Sequence, residues 1–365
     1  MVIRKEDLER AIYEIMLKIG ATEEEAGIMA EELTVCDMMK CNSHGSLRVP
    51  QYVWEIEGGA TVTGAKIQII KESPVTAVVD GGFGFGQVAA RKMTEIVCEK
   101  AEKMGVAVVT GVNVRHIGRV GSFVQEMAKR GLIGFAAVSV CQSRPMIPWG
   151  AAEPRLSTNP IAWSAPRYGE ECVFFDAAMT TVSEGKLRNY ILEGEPVPEG
   201  WLKDADGNPT TDPNTFYQEP RSTINPLGGD VRGMKGSGLA LMTALFSNAL
   251  NNEDYWSGNI RGKEKRRHNG VFFMAVNPDF FCGKEEYAKQ VKNHCDYIKS
   301  AKPLEGVEEV LVPGEYELKA YEESLKIGIH LPDNTWESLV FLGQKYQCDF
   351  AAGTESVSEK NPFNY

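Results

Sequence analysis

Two short segments of the chain contain histidines, and one of them also contains side chains that can bind a carboxylate or donate a hydrogen bond. The segment SHGSLRVPQY contains His44, Arg48 and Tyr52, and the segment NVRHIG contains His116. An arginine holds a carboxylate through two parallel charge-assisted hydrogen bonds, while an imidazole with a near-neutral pKa passes a proton to or from an oxygen atom. These residue types therefore suit the binding and proton chemistry of a small oxo or hydroxy acid.

The spacing of the first segment leaves its geometry open. Because His44, Arg48 and Tyr52 recur every four residues, one continuous helix would present all three on one face. Pro50 instead favours a helix that restarts at this point, so that the three side chains converge across a short turn. An alternative interpretation of His44 is a surface histidine near an unrelated salt bridge. His116 follows a predicted strand, a frequent location of catalytic side chains in α/β proteins, but its position alone does not establish a role.

The stretch TAVVDGGFGFGQVAAR has the pattern of a dinucleotide-binding turn, because Gly84, Gly86 and Ala89 satisfy G-x-G-x-x-A. Such a turn also needs an acidic residue about twenty residues further on, at the end of the second strand. The predicted second strand, VAVVTGVNV, ends without a carboxylate, and Asp80 lies before the glycines. We therefore interpret the glycines as a flexible turn between a strand and a helix. A Rossmann-type binding module built on Gly84 remains the alternative hypothesis.

Composition limits the classes of protein that these residues can belong to. The 365 residues are 43% hydrophobic, which is enough for a large core that divides into two domains. The net charge of -11 disfavours nucleic acid and anionic membranes as partners. The eight cysteines occur singly, which predicts reduced thiols and no metal site. Because the sequence contains no long apolar run and begins with a charged segment, we expect a cytoplasmic protein.

The elements that must position these residues change in character along the chain. Apolar residues at helical spacing run from Leu8 to Ile19, Gly20 ends the run, and Thr22 with Glu25 predicts a capping box for a second, antiparallel helix. Further along, helical or loop segments alternate with β-rich runs, namely IQII, TAVV, VAVVTGV, IGFAAVSV, VFFDAA and VFFMAV. Most of these runs are apolar on both faces, so they predict a sheet covered by helices.

Three later segments differ in composition from the rest of the chain, and each predicts a different structure. Residues 188–234 are rich in Pro, Gly, Asp and Thr, which predicts a long functional loop or an interface arm. The segment SGLALMTALFSNAL predicts a buried apolar helix. The basic run at residues 261–268 predicts a solvated loop.

Several long motifs carry a resemblance to a known family. The chain resembles the malate/L-lactate dehydrogenase family, which includes ureidoglycolate dehydrogenase, diketogulonate reductase and sulfolactate dehydrogenase and is distinct from the Rossmann-type malate and lactate dehydrogenases. The motifs follow the family's order across nearly the whole chain: SHGSLRVPQY, VRHIGRVGSF, STNPIAWSAP, FDAAMTTVSEGK, PEGWLKDADGNPTTDP, PLGGDVRGMKGSGLALM and VPGEYE.

This resemblance implies a non-Rossmann α/β fold. A large, mainly antiparallel or mixed sheet covered by helices would bind the cofactor, and a helical domain would complete the chain. We expect the helical domain at residues 1–72, joined by the C-terminal segment 300–365. The α/β cofactor-binding domain would span residues 73–299 and carry an arm-like loop region at 188–234. The resemblance also implies a homodimer whose active site lies near the subunit contact.

The resemblance further implies a nicotinamide cofactor, NAD or NADP, with NAD favoured. Asp176 ends an apolar strand, where its carboxylate can accept hydrogen bonds from hydroxyl groups. Lys235 precedes an apolar helix, where an ammonium and backbone donors would suit a pyrophosphate. The complete set of expected cofactor contacts is Ser139, Asp176, Ala177, Ala178, Lys235, Gly314 and Glu315.

For the substrate, the resemblance implies that Arg48 binds the carboxylate. His116 would be the general acid/base and His44 would polarise the same oxygen, although these two roles can be exchanged. A hydride would move between C4 of the nicotinamide and the 2-carbon of the acid. Further substrate contacts are expected at Tyr52, Thr158, Asn159 and Lys186.

Malate and oxaloacetate are the leading substrate pair, because additional cationic groups would attract a second carboxylate. Lactate, ureidoglycolate, sulfolactate or a sugar-derived oxo acid would use the same Arg48 and histidines, and a cyclic imine acid is a further alternative. A different class of function is a catalytically inactive relative that retains nicotinamide binding. Family members commonly read D-M-A-T-S where this chain has Asp176, two alanines, Met179 and Thr180, so a small polar contact beside the nicotinamide is missing.

Overall fold

The computed structural model describes residues 1–140, 143–251, 268–355 and 357. Its helices are α1 (Lys5–Lys18), α2 (Glu23–Met38), α3 (Val49–Glu57), α4 (Gly86–Met104), α5 (Val120–Lys129), α6 (Glu184–Glu193), α7 (Gly229–Ser247), α8 (Lys284–Lys299), α9 (Glu315–Ile327) and α10 (Asp333–Lys345). None of these helices in the described ranges has the length and apolar character that a membrane-spanning segment requires.

The strands alternate with these helices along the chain. They are β1 (Val2–Ile3), β2 (Gln68–Glu72), β3 (Thr76–Asp80), β4 (Val106–Val114), β5 (Ile133–Val140), β6 (Ile161–Arg167), β7 (Glu170–Ala177), β8 (Leu202–Lys203), β9 (Pro209–Thr210), β10 (Thr223–Ile224), β11 (Asn269–Val276) and β12 (Ile329–His330).

The N-terminal helices form one apolar cluster with the C-terminal part of the chain. The capping box predicted at Thr22 and Glu25 is confirmed, because each side chain bonds the other residue's backbone N–H. Leu8 and Leu33 pack in the same buried cluster as Leu339 of α10. Strand β1 also pairs antiparallel with β12. Both ends of the described chain therefore stabilise the helical layer that carries His44.

The described residues form a seven-stranded sheet in the order β2-β3-β4-β11-β5-β6-β7. Only β3 and β4 run parallel, with α4 as their crossover, and every other neighbouring pair is antiparallel. The predicted non-Rossmann fold, with a mainly antiparallel sheet covered by helices, is confirmed. Strand β6 lacked an apolar run in the sequence because its residues alternate between the two faces of the sheet.

Helices cover both faces of this sheet. Phe273 of β11 stacks on Phe123 of α5 with ring centroids 5.5 Å apart. The preceding residue, Phe272, points to the opposite face, where its ring lies 5.5 Å from that of Phe246 of α7. Helices α4 and α5 therefore cover one face, and α7 covers the other.

The glycine-rich stretch is a turn between β3 and α4, as the sequence predicts. The Asp80 carboxylate accepts hydrogen bonds from the Gly82 N–H and from the Asn113 side chain, which fixes the turn to the end of β4. A Cβ on Gly86 would lie 2.2 Å from the Arg115 carbonyl oxygen and 2.3 Å from that of His116. Protein backbone thus fills the space before α4 that a pyrophosphate would need, and the glycine lets the segment of His116 approach the helix.

Helix α7 is not buried in the way that its apolar sequence predicts. Large side chains along it retain 43 to 80% of their accessible surface: Val231, Met234, Leu239, Leu241, Met242, Leu245 and Phe246. The prediction of a buried helix was wrong for the single chain, because one face packs on the sheet while another apolar face meets solvent.

Residues 188–234 contain more regular structure than their composition indicates. The segment includes the end of α6, the three-stranded sheet of β8, β9 and β10, and the first residues of α7. Leu202, Phe216 and Ile224 share a small core with Val182 and Leu187. The solvated loop predicted at 261–268 lies outside the described residues except for His268, which is buried.

Candidate active site

Two parallel imidazoles mark the candidate site. The rings of His44 and His116 have centroids 5.8 Å apart and planes inclined by only 8°. Both rings are partly exposed, while Arg48 and Tyr52 beside them are buried. The structure therefore brings together all four residues of the two sequence motifs, from two segments that lie far apart in the chain.

The loop that carries His44 is fixed by polar contacts. Arg48 Nε donates to the Ser43 carbonyl oxygen at 2.7 Å, and the Asp37 carboxylate accepts the Ser46 N–H at 2.8 Å. A new helix, α3, then begins with Pro50 in its first turn. The prediction of a helix restart is confirmed, so the three side chains converge across two short 3-10 turns rather than along one helix face.

A hydrogen-bond chain orients His116. Gln87 Nε2 donates to the Tyr52 hydroxyl oxygen at 2.6 Å, and that hydroxyl lies 2.8 Å from Nδ1 of His116. When the neutral ring carries its hydrogen on Nδ1 and donates it to the Tyr52 oxygen, Nε2 is left as a proton acceptor. Tyr52 was expected to contact the substrate, but its buried hydroxyl instead bonds His116 and Gln87.

A hydrogen bond within the protein also orients the His44 ring. Its Nδ1 lies 2.9 Å from the Ser43 hydroxyl. Each of the two imidazoles therefore uses Nδ1 within the protein, which leaves Nε2 for a ligand. A Cβ on Gly185 would lie 2.3 Å from the Ser43 Cβ, so the start of α6 packs directly behind this residue.

Arg48 keeps donors available although it is 94% buried. Its Nη1 donates to Gln51 Oε1 at 2.7 Å, and the Gln51 amide donates in turn to Glu55. Nη1 carries a second hydrogen, and Nη2 makes no hydrogen bond among the residues that the structure describes. These two nitrogens still form the end-on pair that binds a carboxylate bidentately.

Glu55 joins this network to the segment of His116. Its carboxylate forms a 2.7 Å salt bridge with Arg115, and both side chains are 92% buried. The Thr61 hydroxyl also donates to Glu55. Helix α3, which carries Tyr52, is thereby tied to the residue immediately before His116.

Burial and the nearby positive charges lower the pKa of both rings. Burial, together with Arg48 and Arg119, lowers the pKa of His44 to about 3. Burial and Arg48 also lower the pKa of His116 well below its usual value. Both rings are therefore proton acceptors in the free protein at neutral pH.

Glu184 supplies the opposing charge near His44. Burial works against its ionisation, yet Arg188 and Arg48 hold the pKa of this carboxyl below its usual range. The carboxylate accepts hydrogen bonds from Arg188 and from the Tyr217 hydroxyl. The sequence analysis missed Glu184, because its place beside the histidines depends on the packing of α6 against the first motif.

Arg119 was also missed, and its charge helps to lower the pKa of His44. Its side chain is 94% buried, and Nε and Nη1 have no hydrogen-bond partner in the described part of the chain. The guanidinium lies over the Phe174 ring, 5.5 Å from its centroid. A signal was present in the sequence, because Arg119 is three residues after His116 in the same motif.

Asp176 ends β7 beside Arg119 and is partly exposed. One carboxylate oxygen accepts the Gly121 N–H at 2.6 Å. Burial raises the pKa of this carboxyl, while the Gly121 N–H and the charge of Arg119 oppose the shift. Ala177 and Ala178 follow and are also partly exposed, so this strand end borders the candidate site.

Ser139 and Asn159 contact each other rather than the two histidines. The Ser139 hydroxyl donates to Asn159 Oδ1 at 2.7 Å, and the Asn159 amide donates to the Ala240 carbonyl oxygen of α7. Both side chains are fully buried. Their side chains therefore link β5 to α7, while Thr158 beside them remains partly exposed.

The two predicted lysines lie on helices α6 and α7. Lys235 lies in the second turn of α7 and is exposed, so the prediction that it precedes the helix was wrong. Its backbone N–H is not among the unpaired donors of the helix N-terminus. The ammonium of Lys186 lies over the Trp201 ring at 5.5 Å.

Gly314 and Glu315 begin α9. A Cβ on Gly314 would lie 2.6 Å from the Phe174 ring, so this glycine shares a neighbour with Arg119. The Glu315 carboxylate is occupied by salt bridges with Lys299 at 2.7 Å and Arg167 at 3.1 Å. Glu315 thus ties α9 to β6 and α8, while Gly314 packs against the Phe174 ring of β7.

Comparisons with known proteins identify the family of the chain. Residues 3–340 match the family model described as malate/L-lactate dehydrogenase. The chain is 35% identical to L-sulfolactate dehydrogenase of Methanocaldococcus jannaschii, over 93% of this chain and 95% of that protein. It is 30% identical to ureidoglycolate dehydrogenase (NAD(+)) of Escherichia coli O157:H7, over 100% and 99% of the two chains.

Among solved structures, the fold is similar to that of malate dehydrogenase from Entamoeba histolytica. The TM-score is 0.89 and the identity 26%, with 95% of this chain and 98% of that chain covered.

Proposed function

Because the chain belongs to the malate/L-lactate dehydrogenase family and is a 2-hydroxy acid dehydrogenase, we propose that it interconverts malate and oxaloacetate. The main support for this reaction is the position of His116. Tyr52 and Gln87 hold it in a hydrogen-bond chain, and His44 and the available donors of Arg48 lie beside it.

The choice of a dicarboxylic acid rests on the charge around the histidines. Arg48, Arg115, Arg119 and Arg188 all lie close enough to lower the pKa of one or both imidazoles. Arg48 would hold the carboxylate next to the reacting carbon through Nη1 and Nη2. Because Arg115 and Arg188 are already paired with Glu55 and Glu184, the charge that would favour a second carboxylate over the methyl group of lactate comes from Arg119. The solved relative from Entamoeba histolytica carries the name malate dehydrogenase.

We assign proton transfer to His116. In hydroxy acid oxidation its neutral ring, with its own hydrogen on Nδ1 donated to the Tyr52 oxygen, accepts the hydroxyl proton at Nε2. In the reverse direction Nε2 returns the proton to the developing alkoxide. His44 presents its own Nε2 from the parallel ring and polarises the same oxygen. Burial of Tyr52 raises the pKa of its hydroxyl, so it stays protonated and acts by orienting His116.

The chain's residues also fit a nicotinamide nucleotide, which when bound supplies or accepts the hydride. Arg119 has two buried donors without hydrogen-bond partners in the described part of the chain, and Asp176 offers a partly exposed acceptor near it. Asp176, Ala177, Ala178 and Gly314 would hold the nucleotide, with further contacts at Ser139, Lys235 and Glu315. We propose NAD as the cofactor, because the ureidoglycolate relative is named for NAD(+).

The exposed face of α7 favours a homodimer. Leu241, Met242 and Leu245 each retain close to half of their accessible surface, and Trp163 and Phe175 of the sheet are similarly exposed. An apolar surface of this extent is typical of a protein interface. Asn159, an expected substrate contact, donates to the Ala240 carbonyl oxygen of α7, so a second copy seated on α7 would lie near that residue.

A substrate panel tests this function directly. The purified protein is mixed with NADH or NADPH and with oxaloacetate, pyruvate, 3-sulfopyruvate or a cyclic imine acid, and loss of the reduced nucleotide is followed by its near-ultraviolet absorbance. We expect the highest kcat/KM with oxaloacetate and NADH. A higher value with another acid would replace the proposed substrate, and binding of nucleotide without turnover of any acid would favour the inactive relative.

A further inference from the structure

Arg48, to which the proposed function gives the substrate carboxylate, has no ionic partner within the described part of the chain. The side chain is 94% buried. Its Nε donates to the Ser43 carbonyl oxygen and its Nη1 to the Gln51 side chain, and both acceptors are neutral. A buried charge without an ion pair is destabilising, so its presence here points to a ligand of opposite charge.

The positive charge of Arg48 acts across the candidate site. Burial is the largest cause of the lowered pKa of His44 and of His116, and the charge of Arg48 lowers both further. Burial raises the pKa of the Glu184 carboxyl, but Arg188 and Arg48 together hold it below its usual value. A salt bridge on the Arg48 guanidinium would offset much of this charge and occupy the donors that a substrate carboxylate needs.

Gln51 separates Arg48 from the buried carboxylate on the same helix. Arg48, Gln51 and Glu55 follow one another at intervals of three and four residues, the spacing of neighbours on one helix face. Gln51 Oε1 accepts from Arg48 Nη1 at 2.7 Å, and Gln51 Nε2 donates to Glu55 Oε1 at 3.0 Å. The amide has a single orientation here, because a guanidinium can only donate and an ionised carboxylate can only accept.

The charge of Glu55 already has a partner of its own. Its Oε2 forms the 2.7 Å salt bridge with Arg115 and accepts from the Thr61 hydroxyl at 3.0 Å. The carboxylate therefore needs only a neutral donor on Oε1. Gln51 supplies that donor and gives Arg48 an acceptor without a negative charge. A glutamate at position 51 would instead pair with Arg48 and repel Glu55.

We propose that Gln51 is a positioning residue for substrate binding, which fixes the Arg48 guanidinium through Nη1 and leaves its positive charge unpaired for the carboxylate of the substrate. The inference rests on the proposed function for the identity of that substrate. Because Gln51 acts through Arg48, residue 51 sets the affinity for the carboxylate and takes no part in proton transfer.

Calorimetric titration of the full-length protein with oxalate, with and without NADH, measures this affinity in the absence of turnover. Oxalate presents a carboxylate beside further oxygen atoms, as a 2-oxo acid does, and it is not reduced. We expect Gln51→Glu to weaken oxalate binding by roughly tenfold or more, the effect of losing a hydrogen-bonded charged partner. Gln290→Glu is the matched control, because Gln290 also donates to a glutamate four residues away, on the exposed face of α8. It should leave oxalate binding unchanged.

A second variant separates the charge from the hydrogen bond. Gln51→Met removes the acceptor without adding a charge, so it should weaken oxalate binding by a smaller factor, roughly fivefold, the effect of one neutral hydrogen bond. In an Arg48→Lys background the same substitution should have little further effect, because the lysine lacks Nη1. Independent effects of the two substitutions would show that Gln51 does not act through Arg48. Thermal unfolding of each variant shows that it has folded.

The proposal is overturned if Gln51→Glu binds oxalate as tightly as the unaltered protein, or if the unaltered protein does not bind oxalate with or without NADH. Equal losses in Gln51→Glu and Gln51→Met would contradict the importance of the unpaired charge.

Steady-state kinetics separate this proposal from the proposed function. Both Gln51 variants should raise KM for the preferred oxo acid and change kcat by less than about twofold, because binding and not proton transfer is affected. A protein that turns over no oxo acid, but whose affinity for oxalate still depends on residue 51, would contradict the proposed function alone.

Discussion

The hydroxyl of Tyr52 lies 2.8 Å from Nδ1 of His116, although 64 residues separate them in the chain. We infer that this contact turns the other nitrogen of the imidazole towards the substrate, so that Tyr52 orients the proposed base.

Replacement of Tyr52 by phenylalanine tests that role. The change removes the bond to His116 and leaves Gln87 Nε2 without its acceptor, so we expect kcat to fall by roughly ten- to a hundredfold, within the range of general acid/base effects. KM should change little. Steady-state kinetics distinguish this result from loss of a substrate contact, which would raise KM. Tyr13→Phe, in the helical layer, is the matched control and should leave both constants unchanged.

The pH dependence should report the depressed pKa of His116. A base works only when it is unprotonated, so a lowered pKa extends its working range towards acid. We expect kcat/KM for hydroxy acid oxidation to stay level from neutral pH down to about pH 5, where an ordinary histidine would already be protonated. Reduction requires the protonated ring, so its kcat/KM should fall as pH rises through the same range. An inflection near the usual histidine pKa of about 6.5 in the oxidation profile would argue against a depressed value.

Arg48→Lys should mainly affect substrate binding. The ammonium keeps the charge but cannot form the paired hydrogen bonds of Nη1 and Nη2, so we expect kcat/KM to fall roughly ten- to a hundredfold, chiefly through KM. Arg91→Lys, which alters an arginine paired with Glu31 and Glu32 on the surface, is the control. Equal kinetics for the two variants would show that Arg48 does not bind the carboxylate.

Glu55→Gln tests the network that ties α3 to the segment of His116. The substitution leaves Arg115 as a buried charge without its ion-pair partner, and we expect the free energy of unfolding to fall by about 3 kcal/mol. Glu57→Gln on the same helix breaks an exposed pair with Lys345 and should cost less than about 1 kcal/mol. Denaturant unfolding measures both. A similar loss in the two variants would mean that the buried pair has no special importance.

The apolar face of α7 can be tested in solution. Leu241→Glu places a charge at the centre of the proposed dimer contact and should shift the protein towards monomer in sedimentation experiments. Leu325→Glu, at an exposed position of α9, is the matched control and should not change the assembly. If the unaltered protein sediments as a monomer, the exposed face needs another explanation.

Local sequence signals predicted the parts of the fold that depend on neighbouring residues. The capping box at Thr22 and the restart of the helix at Pro50 follow from backbone rules that act within one turn. The glycine-rich stretch was also predicted correctly as a turn without a bound dinucleotide. Asp80 bonds within the turn, and the backbone of the His116 segment fills the space beside Gly86. The alternation of residues in β6 was missed because one half-buried strand produces no apolar run.

The contributions of Arg119, Gln87 and Glu184 were not predicted, because each depends on packing between distant segments. Arg119 faces Asp176 only when β7 and α5 meet, and no local periodicity encodes that contact. The apolar sequence of α7 predicted burial correctly for one face only. A sequence pattern shows that a surface is apolar, but it does not say whether the same chain or another chain covers it.

The most direct test of the account compares His116→Ala and His44→Ala, with nucleotide binding measured on the same samples. We predict that His116→Ala lowers kcat for reduction of the preferred oxo acid by about a thousandfold, within the usual contribution of a general acid, while nucleotide still binds. His44→Ala should retain more activity. If His116→Ala keeps near-normal kcat and His44→Ala loses it, the proton is carried by His44, and the assignment of His116 is wrong.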